Sequence, residues 1–291
     1  EQKRLDYAGA LLSKAANLAK QLEDPRLLGQ VEMFSCRLNC DLENFEAALD
    51  YGLNAVERFK THGTPDEVAQ ATMYVGTVEA RRGNFPQARK LYEHGLQLLE
   101  GSENRRLLTL IHWNLGNVSY ELQRYDEAFS HFTSALELAN TSVNARERGT
   151  LQMNLALAYR EQGDLDRALE LSGKALQVFE DSGQNQLVAD LYNNIGSIYA
   201  RQGDRLSARA SYEHALAVLD DERAVQGSEA YRELARLDIE DGRPWEALDR
   251  AQAALEIARE LGSDLEVARS AQLLDDVRRG GKGCTVALYS Q

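Results

Sequence analysis

Histidine and cysteine are the residues of this chain that could bind a metal or act as nucleophiles, but their spacing favours neither role. None of the five histidines stands in an H-E-x-x-H or other metal-ligand pattern. Cys36 and Cys40 lie one helical turn apart, but Cys36 falls at a small-residue position where two helices are expected to cross, which favours buried packing over redox chemistry. No glycine-rich phosphate loop, G-x-S-x-G or G-x-G-x-x-G motif occurs. The sequence therefore predicts no catalytic residue, no metal and no cofactor, and we do not expect an enzyme.

A column of asparagines is the best candidate for binding chemistry. Asn114, Asn154 and Asn194 stand at equal intervals of 40 in the sequence. An asparagine side chain offers both a donor and an acceptor, so it can hold the backbone of an extended peptide without selecting a side chain. Asparagine is mildly unfavourable inside a helix, so a purely structural role needs a reason, such as hydrogen bonding between repeats. Both interpretations stay open, and peptide contact is favoured.

The interval of 40 belongs to a repeat that runs through the chain. Small residues recur in one column at Gly76, Gly116, Ala156, Gly196 and Ala235. Twelve residues after each of these stands an alanine, in a second column made of Ala48, Ala88, Ala128, Ala168, Ala208 and Ala247. Between the columns lie breakers such as Gln202-Gly203-Asp204, in which glycine ends one helix and Asn or Asp begins the next. Each repeat is therefore predicted to be a helix A, a tight turn and a helix B that cross closely at their small residues.

The repeat predicts a single array over residues 1–279, with about fourteen helices. It comprises an opening B helix at 1–23, a closing A helix at 264–279, and six helix pairs at about 26–61, 65–100, 104–140, 144–181, 184–221 and 227–261. The opening helix has no A partner, which suggests that sequence preceding Glu1 was removed. The glycines at 280–283 predict a flexible tail over 280–291. Its apolar end is either a frayed remnant or a segment that docks on an array.

Composition and charge limit the partners. Hydrophobic residues make up 43% and charged residues 27% of the chain, which favours a packed core over disorder. The formal charge of −13 argues against direct binding of nucleic acid, because a DNA-binding protein needs a basic surface. No apolar run is long enough to span a bilayer. Three cysteines, an odd number, favour a reducing, cytoplasmic location.

The repeat residues resemble those of the tetratricopeptide repeat (TPR) family. The best-matching repeat shows Leu115-Gly116, Tyr120, Ala128, Phe132 and Ala135. The usual period of the family is about 34 residues, and the longer period here is similar to that of Pins-type adaptors and of sensor domains in bacterial transcription regulators. The resemblance implies an all-α fold, a right-handed superhelical α-solenoid of antiparallel helix pairs.

The resemblance also implies a binding groove, because in this family the A helices line the concave face. The asparagine column would hold a peptide backbone, the apolar residues would take its side chains, and the arginines would pair with its acid groups. The predicted peptide-binding residues are Asn114, Asn154, Asn194, Asn117, Asn193, Trp113, Met73, Tyr74, Arg160 and Arg201. The C-terminal half of this groove is rich in Asn and Arg, so we expect it to suit an anionic or carboxylate-ended ligand.

The preferred prediction is a non-enzymatic module that binds a peptide or protein segment in its concave groove. One alternative is the ligand-sensing and dimerisation domain of a bacterial helix-turn-helix transcription regulator whose DNA-binding part is missing here; in that case the chain could form a homodimer. A second alternative is a structural assembly scaffold that binds through its convex B helices.

Overall fold

Helices make up all the regular secondary structure in the described part of the chain. The computed structural model describes residues 2–139, 143–221 and 223–288. Over these residues there are fourteen helices and no strand, so the predicted all-α fold of about fourteen helices is confirmed. In chain order the helices are α1 Gln2–Gln21, α2 Pro25–Asp41, α3 Phe45–His62, α4 Pro65–Arg81, α5 Phe85–Leu98, α6 Arg105–Glu121, α7 Tyr125–Leu138, α8 Ala145–Gln162, α9 Leu165–Asp181, α10 Asn185–Gln202, α11 Arg205–Ala217, α12 Val225–Glu240, α13 Pro244–Glu260 and α14 Asp264–Leu288.

The helices pack in consecutive pairs inside two compact units, Glu1–Ala158 and Tyr159–Gln291. In the first unit α2 packs on α3, α4 on α5 and α6 on α7, and in the second α10 packs on α11 and α12 on α13. The even-numbered helices are the predicted A helices. Successive A helices also touch, α2 with α4 and α4 with α6 in one unit, and α10 with α12 and α12 with α14 in the other. Each unit is thus a stack of helix pairs, and the single array over residues 1–279 stays a prediction.

Helix boundaries follow from local capping. The Thr64 side chain accepts a hydrogen bond from the Glu67 backbone N–H at 3.3 Å, and the Glu67 carboxylate accepts one from the Thr64 N–H at 2.9 Å. This capping box fixes the start of α4. At the end of α10, Gly203 adopts a left-handed φ of 79°, a conformation that glycine reaches without a steric penalty.

The core of each repeat lies where its two helices cross. The alanine column predicted for helix B is fully buried: Ala48, Ala88, Ala128, Ala168, Ala208 and Ala247 each have 0% exposure. Aromatic side chains of the B helices are buried beside them, among them Tyr92, Phe132 and Tyr212. Small and large residues thus alternate across the helix pair, which lets the two helices approach closely.

The last helix is longer than predicted. The sequence predicts an A helix over 264–279 and a flexible tail from residue 280, whereas α14 continues to Leu288. Glycine can take helical dihedral angles, at a cost of about 1 kcal/mol per residue relative to alanine, so a glycine run does not by itself end a helix. Residues 289–291 of the predicted tail lie outside the described residues.

No helix in the described part of the chain is both long enough and apolar enough to cross a membrane.

Candidate functional site

One column of the A helices stays accessible in every repeat. This column, here called the asparagine face, consists of Phe34, Tyr74, Asn114, Asn154, Asn194 and Glu233. Phe34 is exposed and the other five are half-buried. The residues that directly follow Tyr74, Asn114 and Asn154 in the chain are buried: Val75, Leu115 and Leu155. Within each unit, this column is therefore a surface on which side chains could meet a partner.

In the first unit, two asparagines on adjacent A helices are joined. The Asn154 Nδ2 of α8 donates a hydrogen bond to the Asn117 Oδ1 of α6, with 2.8 Å between the two atoms. This is the kind of inter-repeat bond that a structural role would require. It uses one donor and one acceptor, and it leaves Asn154 Oδ1 and Asn117 Nδ2 without partners among the described residues. An acceptor and a donor of this kind match the N–H and C=O of a peptide backbone.

Asn114 and Trp113 lie on the same helix as Asn117. Asn114 is half-buried and precedes Asn117 by three residues, so the two share one helix face. Trp113 is also half-buried, and its ring packs against a cluster of Ala135, Ala139 and Leu151. Its indole Nε1 is buried and has no hydrogen-bond partner in the described part of the chain. Trp113 thus packs between repeats and keeps part of its ring accessible.

The two predicted contact residues of α4 differ in their surroundings. Met73 has only 3% exposure and packs in the core with Ala69, Tyr92 and Ile111. Its apolar side chain is therefore part of the core, and the prediction that Met73 lines the groove is wrong in that respect. Tyr74 is half-buried and packs against the edge of the same core. The period of 40 located this pair, but it could not distinguish a core column from the surface column beside it.

In the second unit, Asn193 also departs from the prediction. It has 2% exposure, and its Nδ2 donates to the Gln226 backbone carbonyl of α12 at 2.9 Å. Asn193 therefore ties α10 to α12 from an almost wholly buried position. Asn194, the next residue, is half-buried, and its Oδ1 accepts a hydrogen bond from Arg160 Nη1 at 3.4 Å.

Arg160 and Arg201 are held by a carboxylate of the chain itself. Arg201 Nη2 donates to both oxygens of Glu161 at 2.9 and 2.8 Å, and its Nη1 donates to the Arg160 carbonyl at 2.8 Å. Arg160 Nη2 lies 2.9 Å from the same Glu161 carboxylate. Burial by itself would raise the pKa of Glu161, but the Arg201 hydrogen bonds and the Arg160 charge outweigh it and lower the pKa. Both arginines therefore already have the acid partner that the sequence assigned to a ligand.

Three carboxylates on the second unit were missed by the sequence prediction. Asp190 of α10 and Glu229 and Glu233 of α12 are half-buried. Burial is the main cause that raises the pKa of each, to about 6 for Asp190. The repeat contained a signal for them, because Asp190 and Glu229 stand nearly one repeat period apart and each precedes its asparagine-face residue by four. An anionic ligand was expected for this half of the chain, and these acids argue for the opposite preference.

The described residues contain no group of three or more His, Cys, Asp or Glu side chains placed to hold a metal ion. Burial raises the pKa of the Cys36 thiol to about 12 and also raises that of Cys40. Both thiols are therefore protonated near neutral pH and suited to packing.

Comparison with solved structures shows the fold. A Rap protein complexed with Competence and Sporulation Factor is 18% identical, with a TM-score of 0.71 over 94% of this chain and 80% of that one. The Rap conjugation gene regulator of plasmid pLS20, complexed with the Phr* peptide, is 17% identical, with a TM-score of 0.62 over 94% and 83%. A signal transduction ATPase with a tetratricopeptide repeat sensor from Pyrococcus horikoshii is 18% identical, with a TM-score of 0.70 over 94% and 42%. All three share the α-solenoid arrangement of paired helices.

No curated protein matches the chain. The sequence model of the tetratricopeptide repeat matches three times, at residues 107–181, 147–221 and 187–260, so successive matches begin one repeat period apart. Together the matches span residues 107–260, more than half of the 291 residues. The resemblance seen in the repeat residues is thereby confirmed, and the chain belongs to the tetratricopeptide repeat family.

Proposed function

We propose that this chain is a non-enzymatic module that binds a peptide or protein segment along the asparagine face of its A helices. The observation that carries the proposal is the pair of unused groups beside the Asn117–Asn154 hydrogen bond. A backbone amide that lay across α6 and α8 could donate to Asn154 Oδ1 and accept from Asn117 Nδ2. Such contacts select an extended backbone and tolerate many side chains.

The other predicted residues have different roles in this proposal: some contact the peptide, and others hold the contacting residues in place. Asn114 and Asn194 hold further backbone groups, each within its own unit. Tyr74 and Trp113 offer half-buried aromatic surface for apolar side chains of the partner. Arg160 and Arg201 keep Glu161 and Asn194 in place, because they are already bonded to them. Met73 supports Tyr74 from the core and makes no contact of its own.

Family and fold support a binding role. The repeat family is built around protein-binding modules, and one structure of similar fold was solved with a peptide bound. The three similar structures are at most 18% identical to this chain, so the identity of a partner has to come from binding measurements. The cytoplasmic location predicted from the cysteines is part of the same proposal.

The test uses a probe library that samples many peptide sequences at once. The 291-residue chain is immobilised and exposed to a positional-scanning library of acetylated, amidated hexapeptides, and the best sequence is then titrated by fluorescence polarisation. We expect Asn114→Ala/Asn154→Ala to weaken binding about thirtyfold, since each of the two lost backbone contacts contributes roughly 1 kcal/mol. The helical circular dichroism signal should not change.

A matched control removes two asparagines that are exposed outside the asparagine face. Asn17 lies on α1 and Asn54 on α3, both in the first unit. Asn17→Ala/Asn54→Ala should bind the hexapeptide as the unchanged chain does. The proposal fails if no hexapeptide binds, or if the Asn114→Ala/Asn154→Ala variant binds as tightly as the control.

A second candidate function is ligand sensing within a transcription regulator, in which binding changes self-association. It is favoured by two structures of similar fold, one described as a gene regulator and one as carrying a tetratricopeptide repeat sensor. Sedimentation velocity with and without the best hexapeptide tests it. A shift between monomer and homodimer on binding would support sensing, and an unchanged sedimentation coefficient at saturation would rule out the dimerisation part.

A further inference from the structure

The interface of α10 and α12 contains a buried acceptor with nothing to accept from. Asn193 has 2% exposure, and its Nδ2 donates to the Gln226 carbonyl at 2.9 Å. That bond fixes the orientation of the amide, because only the nitrogen can donate to a carbonyl oxygen. The Asn193 Oδ1 is then left buried without a hydrogen-bond partner among the described residues. An unpaired buried acceptor is costly, so it points to a donor supplied from outside.

Two carboxylates lie at the same interface of α10 and α12. Asp190 precedes Asn193 by three residues and shares its face of α10. Its side chain interacts with the Gln226 side chain, at the start of α12. Glu229 follows Gln226 by three residues and therefore lies on the same face of α12, where its charge and that of Asp190 repel each other. The residue pair Asn193–Gln226 thus brings the two acids toward one place.

Two arginines of α12 that act on its carboxylates are paired with other acids. Arg232 is paired with Glu266 of α14, and Arg236 is paired with Glu233. In the described part of the chain no ion pair neutralises Asp190 or Glu229. Two carboxylates are therefore left without a positive partner, next to an amide oxygen without a donor.

The electrostatics show the cost of this arrangement. Burial raises the pKa of Asp190 to about 6, although a hydrogen bond from Gln226 opposes the shift. Burial also raises the pKa of Glu229, and the nearby Asp190 adds to the shift, although the Arg232 charge opposes it. A positive group placed between the two acids would relieve both effects.

We propose that Asp190, Glu229 and the Asn193 Oδ1 form a subsite for a basic side chain, lysine or arginine, of a peptide that binds to the second unit. The inference rests on the proposed peptide-binding function and names a side chain that this face selects. A guanidinium group has five donors in a planar fork, enough for a bidentate bond to one carboxylate and single bonds to the other two acceptors. An ammonium group has three donors, one for each acceptor.

The first test uses small probes, so that it does not depend on finding a peptide. N-acetyl-arginine methylamide and N-acetyl-lysine methylamide are titrated into the isotope-labelled chain, and the Asn193 side-chain amide is followed by NMR. We expect saturable shifts with both. N-acetyl-citrulline methylamide has nearly the shape of the arginine probe but no charge, and it should cause none. Glycinamide, which carries only a main-chain amine, separates recognition of a chain terminus from that of a side chain.

Variants locate the effect. Asp190→Asn/Glu229→Gln keeps the size of both side chains, and it should abolish the shifts and remove any Lys or Arg preference from the hexapeptide library. Asp249→Asn/Glu256→Gln changes the net charge by the same amount at exposed positions of α13 and should leave both readouts intact. The folding of each variant is checked by circular dichroism.

The outcomes separate this inference from the proposed function. The subsite is overturned if citrulline shifts Asn193 as strongly as arginine, if glycinamide alone does so, or if the Asp190→Asn/Glu229→Gln variant responds like the control. A chain that binds hexapeptides without preferring basic residues keeps the proposed function and loses the subsite. A chain that binds the arginine probe but no hexapeptide keeps the subsite, and the peptide-binding function is then lost.

Discussion

A methyl group added to Gly196 would lie 2.6 Å from Cε1 of Tyr212, well inside the normal distance between packed carbon atoms. Tyr212 belongs to helix α11 and has 1% exposure, so it cannot move away into solvent. The same relationship recurs three repeats earlier, where a methyl on Gly76 would lie 2.7 Å from Cε1 of Tyr92. The glycine of helix A therefore leaves the space in which the aromatic ring of helix B packs.

We expect Gly196→Ala to destabilise the chain by about 1–3 kcal/mol, because overpacking forces the ring or the helices apart. Thermal and urea unfolding measure the change. The loss should be smaller in a Tyr212→Ser background, since serine stands at the equivalent place of another repeat, at Ser172. Gly173→Ala is the matched control: Gly173 is exposed within α9 and nothing lies within 4 Å of its added methyl, so this change should stabilise the helix. Equal effects of Gly196→Ala and Gly173→Ala would contradict the prediction.

A second prediction concerns a fully buried acid. Asp238 has 0% exposure, and its carboxylate lies 2.9 Å from Arg209, 3.0 Å from Arg243 and 2.5 Å from Arg250. Arg209 and Arg243 also pair with Asp241, whereas Asp238 is the one acid paired with Arg250 in the described part of the chain. Removal of Asp238 therefore leaves the partly buried Arg250 without an acid and the other two arginines sharing Asp241. Asp238→Ala should therefore cost about 3–5 kcal/mol of the free energy of unfolding.

Urea denaturation measures that cost, with Asp249→Ala as the control, because Asp249 is exposed on α13. The control should change stability by less than about 0.5 kcal/mol. A loss of that small size for Asp238→Ala would mean that the three arginines are satisfied by water and that the network has no stabilising role.

The repeat made the fold predictable, because its period is visible at positions where close helix packing permits only small residues. Only a small residue fits at Gly116 or Ala128, so helix crossings could be found from sequence alone. Turns such as Gln202-Gly203-Asp204 then located the helix ends, and the positive φ of Gly203 agrees with that interpretation. The end of α14 was missed because a glycine run weakens a helix without forbidding it.

The candidate site was less predictable, because the burial of a residue depends on how its helix is rotated about its own axis against the neighbouring helices. Met73 and Tyr74 are adjacent in sequence, yet one has a core environment and the other lies at the surface. Ion pairing is also hidden from a repeat pattern. Arg201 and Glu161 stand one repeat apart, so the acid that holds the arginine could be recognised only once α8 and α10 were placed.

A third prediction concerns the pH dependence that Asp190 imposes on stability. Burial raises the pKa of Asp190 from 3.8 to about 6. The pKa of Asp190 is higher in the folded state than in the unfolded state. The stability that the Asp190 carboxyl contributes is therefore fully present below about pH 4 and is lost as the pH rises through 6. Asp190→Asn should therefore raise the melting temperature at pH 7 to 8, and the gain should shrink toward pH 4. Melting curves of both forms across this range provide the measurement. A gain that stays constant with pH would show that the Asp190 carboxyl is not responsible.

The last prediction concerns two imidazole rings between α6 and α7. The His112 and His131 Nδ1 atoms lie 3.2 Å apart, so one ring must donate and the other, which accepts, must be neutral. Burial, with the nearby His131, lowers the pKa of His112 to about 4. Because the pKa of His112 is lower in the folded state, the stability that this imidazole contributes is present above about pH 6.5 and is lost as the pH falls through 4.

Asp190 changes the stability in the opposite direction over an overlapping pH range, so the effect of His112 is measured in an Asp190→Asn background. There His112→Gln, which keeps a polar group in place, should lose less stability than the parent between pH 6.5 and 4. His62→Gln, at an exposed position near the end of α3, should leave the pH slope unchanged. If the slopes of the His112→Gln variant and the parent coincide, the histidine pair makes no contribution to acid sensitivity.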